Sequence, residues 1–363
     1  MISFNNFIIK KNNQYLLIKF ILHITYHFIC YFLLIICLLI IKIFIRYSKN
    51  IIIISNYYQA NTKKKHKFLY PIDFTLKKFL KEKGINLNIK KFYTDRHNNS
   101  LLIFKFLKFF LQTRPKYIIF PIDYDRSSNS LNYVLLIILK LIFNIKFISI
   151  SNDPTWGINF LRYKLGIKIF DIQIAWPNVY SGNKKFLAPL TIITKENKFI
   201  NFKKKKINIS YIGRNYGERK KIIDYLEKKN IKINKYGEAY SKIINEDQYY
   251  KILLKTKITV NFPKNINHKD IIYPYQIRAR VFESIGCGCL LFDQKNELLE
   301  KFFIEGEDYI SYKNKRDLLK KIRYYLKNYK NVGKKIANNA HQKLIKKFSS
   351  FSVWSTIFSN LEK

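Results

Sequence analysis

Residues 278–294, RARVFESIGCGCLLFDQ, set one carboxylate and two arginines just before a Gly-Cys-Gly break and an apolar run that ends at Asp293. Pro274 suits the first position of a helix and Gly286 to Gly288 suit its end, so the spacing predicts a helix over 274–286. At 3.6 residues per turn, Gln276, Arg280 and Glu283 fall within an arc of about 60°, while Ile277, Val281 and Ile285 share another face. One face is polar and the other is core. The free backbone N–H groups expected at 275–277 lie at the positive end of the helix dipole, and Arg278 or Arg280 adds a charged donor, which together make an anion site. Further along, the Glu283 carboxylate can accept two hydrogen bonds from a vicinal diol, the chemistry by which an acidic residue holds ribose in dinucleotide sites. Phosphate at one end and diol at the other outline a nucleotide. The same residues also fit a plain Arg280–Glu283 surface pair at i, i+3, and the spacing alone does not choose between these.

Outward from this stretch, short apolar β-branched runs alternate with helical patterns. Before it come candidate strands at 50–55, 86–93, 116–121, 146–150 and 171–175, with helices near 67–83, 98–112 and 130–143. After the polar stretch TKENKFINFKKKK at 194–206, the pattern restarts with strands at 207–213, 231–237, 258–262 and 289–292 and helices near 217–229, 246–256, 315–327 and 331–346. Such alternation argues for βαβ units, hence an α/β protein with two doubly wound parallel-sheet domains in tandem. The boundaries expected are an extension at 1–49, domains at 50–200 and 201–347, and a closing segment at 348–363 that crosses back to the first domain. No G-x-G-x-x-G or P-loop follows any strand, so a nicotinamide or P-loop reading loses its main support.

In front of both domains, Phe20 to Ile41 run without a Lys, Arg, Asp or Glu. About 20 apolar residues span a bilayer, so membrane association through residues 20–41, spanning or lying on the surface, is expected. The chain of 363 residues carries 67 Lys and Arg against 24 acids, a net charge of +43. A charge that large raises nucleic acid or anionic lipid as partners. Its lysines are spread along the whole chain rather than gathered in one stripe, so they read as solvated surface and nucleic acid is not an expected partner. Cys287 and Cys289 bracket one glycine with no matching second pair, which is not a zinc pattern.

With its neighbours ELLEKFFIEGEDYISYKNKRDLLKKIRYYLKN and KKIANNAHQKL, the opening stretch resembles the C-terminal domain of GT-B glycosyltransferases, in particular the bacterial group related to spore-maturation glycosyltransferases. ISYIGRNYGERKKIIDYL and INKYGEAY are similar to that domain's opening strand, turn and second strand. The likeness covers roughly 207–345 well and 50–190 in outline. It implies a GT-B fold of two Rossmann-like domains facing a cleft, and a sugar passed from a nucleotide-sugar donor to a glycan, lipid-linked or protein acceptor. By the same resemblance Glu283 binds the donor ribose, Arg280 and Arg278 face the diphosphate, and Gly213 and Arg214 form a close-approach turn near the phosphates. Gln276 shares their face. The chain departs from the pattern at Tyr275, where many retaining members carry a second Glu. The resemblance implies no cofactor and no metal.

SNDPTWG at 151–157 makes Asp153 a catalytic candidate on the acceptor side, although an Asp before Pro is also a turn residue. Asp123 and Asp125 follow a candidate strand and fit helix capping as well as ligand binding. Polysaccharide biosynthesis on the cytoplasmic side of a membrane is the expected setting. The alternatives are a non-catalytic nucleotide-binding relative and a basic RNA- or lipid-binding protein.

Overall fold

The computed structural model describes residues 25, 29, 31–43, 49–56, 69–94, 99–122, 133–151, 171–175, 200–213, 217–237, 244, 246–263, 277 and 279–362. It contains two separate five-stranded sheets, each wholly parallel. The first joins β1 (Asn50–Asn56), β2 (Asn88–Thr94), β3 (Tyr117–Ile122), β4 (Lys146–Ser151) and β5 (Ile172–Ala175) in the order β2-β1-β3-β4-β5. The run of isoleucines in β1 serves both faces. Ile51 and Ile53 enter one core and Ile52 the other, all fully buried, as expected of a strand covered by helices on both sides.

The helices α2 (Leu69–Glu82), α3 (Asn99–Thr113) and α4 (Tyr133–Phe143) connect these strands. α2 packs on the Ile51 and Ile53 side, while α3 and α4 share the core with Ile52. On that second side lies α1, helical over 31–43, with Leu38 buried and Tyr31, Leu34 and Ile35 packed on the same core. Residues 20–24, 26–28 and 30 of the expected membrane segment lie outside the described residues, and no helix among the described residues is long and apolar enough to cross a membrane. Part of the apolar surface of α1 is committed to the protein core.

The second sheet joins β6 (Ile207–Ile212), β7 (Asn234–Tyr236), β8 (Thr256–Asn261), β9 (Leu290–Gln294) and β10 (Ile310–Tyr312) in the order β10-β9-β8-β6-β7. Numbered within its own domain, this is the strand order of the first sheet. Its helices are α5 (Gly217–Lys228), α6 (Glu246–Lys255), α7 (Ala279–Gly286), α8 (Glu297–Glu300), α9 (Lys315–Lys327) and α10 (Lys334–Lys347). β10 and α8 escape the sequence pattern because they are only three and four residues long.

The opening stretch forms α7 and β9, but the helix starts later than Pro274. Ile277 is non-helical and 2% exposed, so the chain is pinned into the core by that side chain before the first turn begins at Ala279. The helix ends as Gly-Cys-Gly suggests. Cys289 N–H donates to Ser284 O at 3.0 Å, and Gly288 takes a φ of +70° that a left-handed cap requires. A Cβ at Gly288 would stand 2.6 Å from Ile200, so the residue leaves room for neither a side chain nor another backbone shape.

α11 (Ser350–Leu361) returns to the first sheet. Trp354, fully buried, donates its indole N–H to Thr75 on α2 at 2.9 Å, and Phe358 stacks on Phe79 with ring centres 5.4 Å apart. One apolar cluster therefore runs from α7 and α10 through α11 into the first sheet.

Candidate functional site

In an open parallel sheet, ligands bind outside the carboxyl ends of the strands where adjacent strands send their crossovers to opposite faces. In the second sheet β6 and β8 are such neighbours. α5, after β6, buries Ile222, Ile223 and Leu226 on one side, while α7, after β8, buries Val281, Phe282 and Ile285 on the other. The crevice expected between them is flanked by Gly213, which follows β6, and by the first turn of α7.

Arg280 comes from that first turn, and its Nη1 donates to Ile212 O at 2.7 Å. The guanidinium thus lies across the end of β6. Gly213 permits this approach, because a Cβ there would stand 2.6 Å from Arg280 Nη1 and 2.8 Å from Tyr211 Oη. Gly237 follows β7 at φ +127°, and its Cβ would meet Gly213 O at 2.5 Å. Gly213 N–H donates to Tyr236 O at 2.9 Å. Two glycines therefore let the ends of β6 and β7 and one arginine converge on a single point.

Glu283 is half-buried one turn further along α7, facing α6. Tyr249 donates its hydroxyl to Oε2 at 2.6 Å and Tyr250 donates to Oε1 at 3.0 Å, their rings edge-on 5.1 Å apart. Burial pushes both phenols well up from their ordinary pKa, and the Glu283 charge beside them pushes further in the same direction. Both hydroxyls remain protonated donors. A carboxylate offers about four acceptor positions, and the tyrosines take one on each oxygen. Among the described contacts, Arg280 donates to Ile212 O while Glu283 accepts from Tyr249 and Tyr250.

At the carboxyl ends of the next strands, Asn261 and Asp293 face each other in register, both buried, with Asn261 Nδ2 donating to Asp293 Oδ1 at 3.1 Å. Tyr312 Oη donates to Asn261 O at 2.7 Å, and burial followed by the Asp293 charge raises its pKa. These polar groups tie the ends of β8, β9 and β10 together.

Tyr249, Tyr250, Asn261 and Tyr312 are not singled out by the sequence. For Asn261 and Asp293 the available signal is a polar residue that ends an apolar run, in ITVN and CLLFD. Arg214, Gln276, Arg278 and Asp153 lie outside the described residues, as do Asp123, Asp125 and Tyr275. Among the described residues no three His, Cys, Asp or Glu are placed to hold a metal ion. Cys287 and Cys289 are buried, which raises both pKa values, and Cys289 donates its S–H to Leu253 O at 3.2 Å.

Residues 214–359, which include β7 to β10 and α5 to α10, match the family described as glycosyl transferase-like. No curated protein matches the chain. Solved structures share its fold at low identity. The crystal structure of Anabaena Alr3699/HepE in complex with UDP-glucose aligns with a TM-score of 0.55 at 10% identity, covering 86% of this chain and 99% of that one. A glycosyltransferase from Rickettsia africae ESF-5 aligns with a TM-score of 0.53 at 12% identity over 87% and 99%. AviGT4, a glycosyltransferase involved in avilamycin A biosynthesis, gives a TM-score of 0.55 at 8% identity over 86% and 96%. The two parallel sheets resemble those of GT-B glycosyltransferases.

Proposed function

We propose that the chain moves a sugar from a nucleotide-sugar donor to a cell-surface glycan or a related acceptor, with the donor nucleotide held in the β6/β8 crevice. The observation that carries this reading is the Glu283 carboxylate, half-buried beside the crevice and oriented by two phenol donors. A ribose diol would bind as two further donors to the same oxygens. Arg280, already at the mouth of the crevice, would meet the diphosphate together with Arg278 and Arg214, and Gly213 would let the phosphates come close. Gln276 completes the polar face. Arginines and helix N-terminal amides stabilise a leaving diphosphate by fixed charge, so the reading needs no metal ion. Asp153 is assigned to the acceptor side, with the acceptor held by the domain at 50–200 and the donor by that at 201–347.

UDP is the first nucleotide to test, since HepE was crystallised with UDP-glucose. The likeness to spore-maturation-type enzymes supports a glycan acceptor and action on the cytoplasmic side, where nucleotide sugars are made. The test is a thermal-shift screen against UDP, GDP, CMP and dTDP sugars. A ligand at 100 times its dissociation constant stabilises by about 2.7 kcal/mol. One stabilising sugar nucleotide, with release of its nucleoside diphosphate on adding acceptor glycan, supports the reading. Binding without turnover points to a non-catalytic relative. No response, with steeply salt-dependent RNA binding, removes it.

A further inference from the structure

The described surface is unevenly apolar. Large apolar side chains standing in solvent are confined, apart from Phe74, Leu254, Ile304 and Tyr324, to residues 29–43 and to α3 and α4. The most exposed are Ile43 at 79%, Leu141 at 76% and Phe104 at 71%. On α4, Val134, Ile137 and Leu141 follow one another at the spacing of a single helical stripe. α1, α3 and α4 all pack on the Ile52 side of the first sheet, so these side chains belong to the outer layer of one side of one domain. Among the described residues of the second domain, Leu254, Ile304 and Tyr324 are the only large apolar side chains left in solvent.

Among the described residues, the exposed charge on this side has one sign. No Asp or Glu occurs from Met1 to Ile72, and none on α3 or α4, while Lys42, Lys105 and Lys108 are exposed there. Asp171, just before β5, is ion-paired with Lys140 of α4. An apolar layer interspersed with cations and lacking exposed acids complements an anionic lipid surface, where apolar side chains enter the acyl boundary and lysines meet headgroups. A protein partner of ordinary mixed charge has no such preference for an acid-free surface.

We propose that the outer side of α1, α3 and α4 is a bilayer seat: the first domain lies side-on against an anionic membrane, with α1 in the interfacial plane and not across it. Because the seat is parallel to the sheet, the carboxyl ends of its strands stay clear of lipid. This inference stands independently of the donor reading.

The experiment uses the full chain and flotation with vesicles of phosphatidylcholine alone or mixed with phosphatidylglycerol. The expected result is binding to the mixed vesicles that weakens with salt and without phosphatidylglycerol. Phe104→Ser combined with Leu141→Ser should cut that partition at least about tenfold while leaving the thermal midpoint and nucleotide response unchanged. Three results overturn the proposal. The parent chain stays in solution with both vesicle types, the double variant floats as the parent does because residues before α1 hold the bilayer alone, or the double variant breaks up a self-associated form of a chain that ignores lipid.

Discussion

Tyr249 Oη stands 2.6 Å from Glu283 Oε2, joining two helices whose residues are 34 apart in the chain. Through Tyr250 on the other oxygen the carboxylate is held at both ends. Removing the Tyr249 hydroxyl as Tyr249→Phe deletes a hydrogen bond to a charged group, typically about 1.5–3 kcal/mol. The freed carboxylate should lose its orientation, and nucleotide affinity should fall about tenfold. In a Glu283→Gln background the same change should cost much less, because the two residues act together. Isothermal titration of the two single variants and the double variant measures the coupling, and additive losses would show that the tyrosine does not act through Glu283.

Glu283→Gln keeps the shape but weakens charge-assisted bonds to a diol, so affinity for UDP and for uridine should fall alike, at least about tenfold. Arg280→Ala should weaken UDP more than uridine, since its partner is phosphate. Equal losses for Arg280→Ala on both ligands would assign the arginine a purely structural part in bracing Ile212 O.

Gly213→Ala puts a methyl group 2.6 Å from Arg280 Nη1. The flexible guanidinium gives way first and the buried Tyr211 ring, whose hydroxyl would stand 2.8 Å away, must also shift, so the variant should lose some stability and bind UDP about as weakly as Arg280→Ala. Combined, the two changes should be no worse than either one. A double variant that binds tenfold more weakly than both would place Gly213 against the ligand itself.

Alkaline unfolding reports the buried phenols. Tyr249, Tyr250, Tyr309, Tyr312 and Tyr329 all have pKa values raised by burial. Above about pH 10 the unfolded chain releases these protons while the folded chain keeps them, so the unfolded state binds fewer protons and stability falls as pH rises. Each group adds a slope of up to about 1.4 kcal/mol per pH unit, and below its unfolded pKa it adds none. Urea titrations at stepped alkaline pH should show this, and Tyr249→Phe should flatten the slope by one group.

Lys205 is 3% exposed, with Nζ donating to Thr256 O at 2.7 Å, to Cys287 O at 2.9 Å and, at the limit of range, to Leu253 O at 3.5 Å. These carbonyls sit where α6 and α7 end, so a cation there also meets the negative ends of two helix dipoles. Lys205→Met fills the volume but takes the lysine donor from Thr256 O and Cys287 O, and a buried carbonyl left unmet costs about 1–3 kcal/mol. Chemical denaturation should show a loss of at least about 2 kcal/mol, a size no solvated lysine would give.

Lys205 marks a limit of reading by composition. It belongs to a run of four lysines that looks wholly solvated, and burial singles out one of them. α1 marks another. Its residues form an unbroken apolar run, but nothing in the run says that Leu38 will join the core that holds Leu102 and Phe106 while Ile40 stays in solvent. By contrast, β1, β3 and β4 and helices α2 and α9 lie within two residues of their expected ends, because periodicity and end signals act over a few residues of the same element.

The sequence by itself determined the alternation of strands and helices, its restart near Ile207, and a helix with Val281 and Ile285 on its buried side and Arg280 and Glu283 off it. These follow from near-neighbour spacing, which chain geometry converts directly into faces. Only the tertiary structure decided that Arg280 reaches Ile212 O, that Tyr249 and Tyr250 hold Glu283, and that Trp354 bonds to Thr75 across 279 residues. Strand order sets those meetings. Placing β6 beside β8 brings the first turn of α7 to the end of β6, and no local signal along the chain records which strands become neighbours.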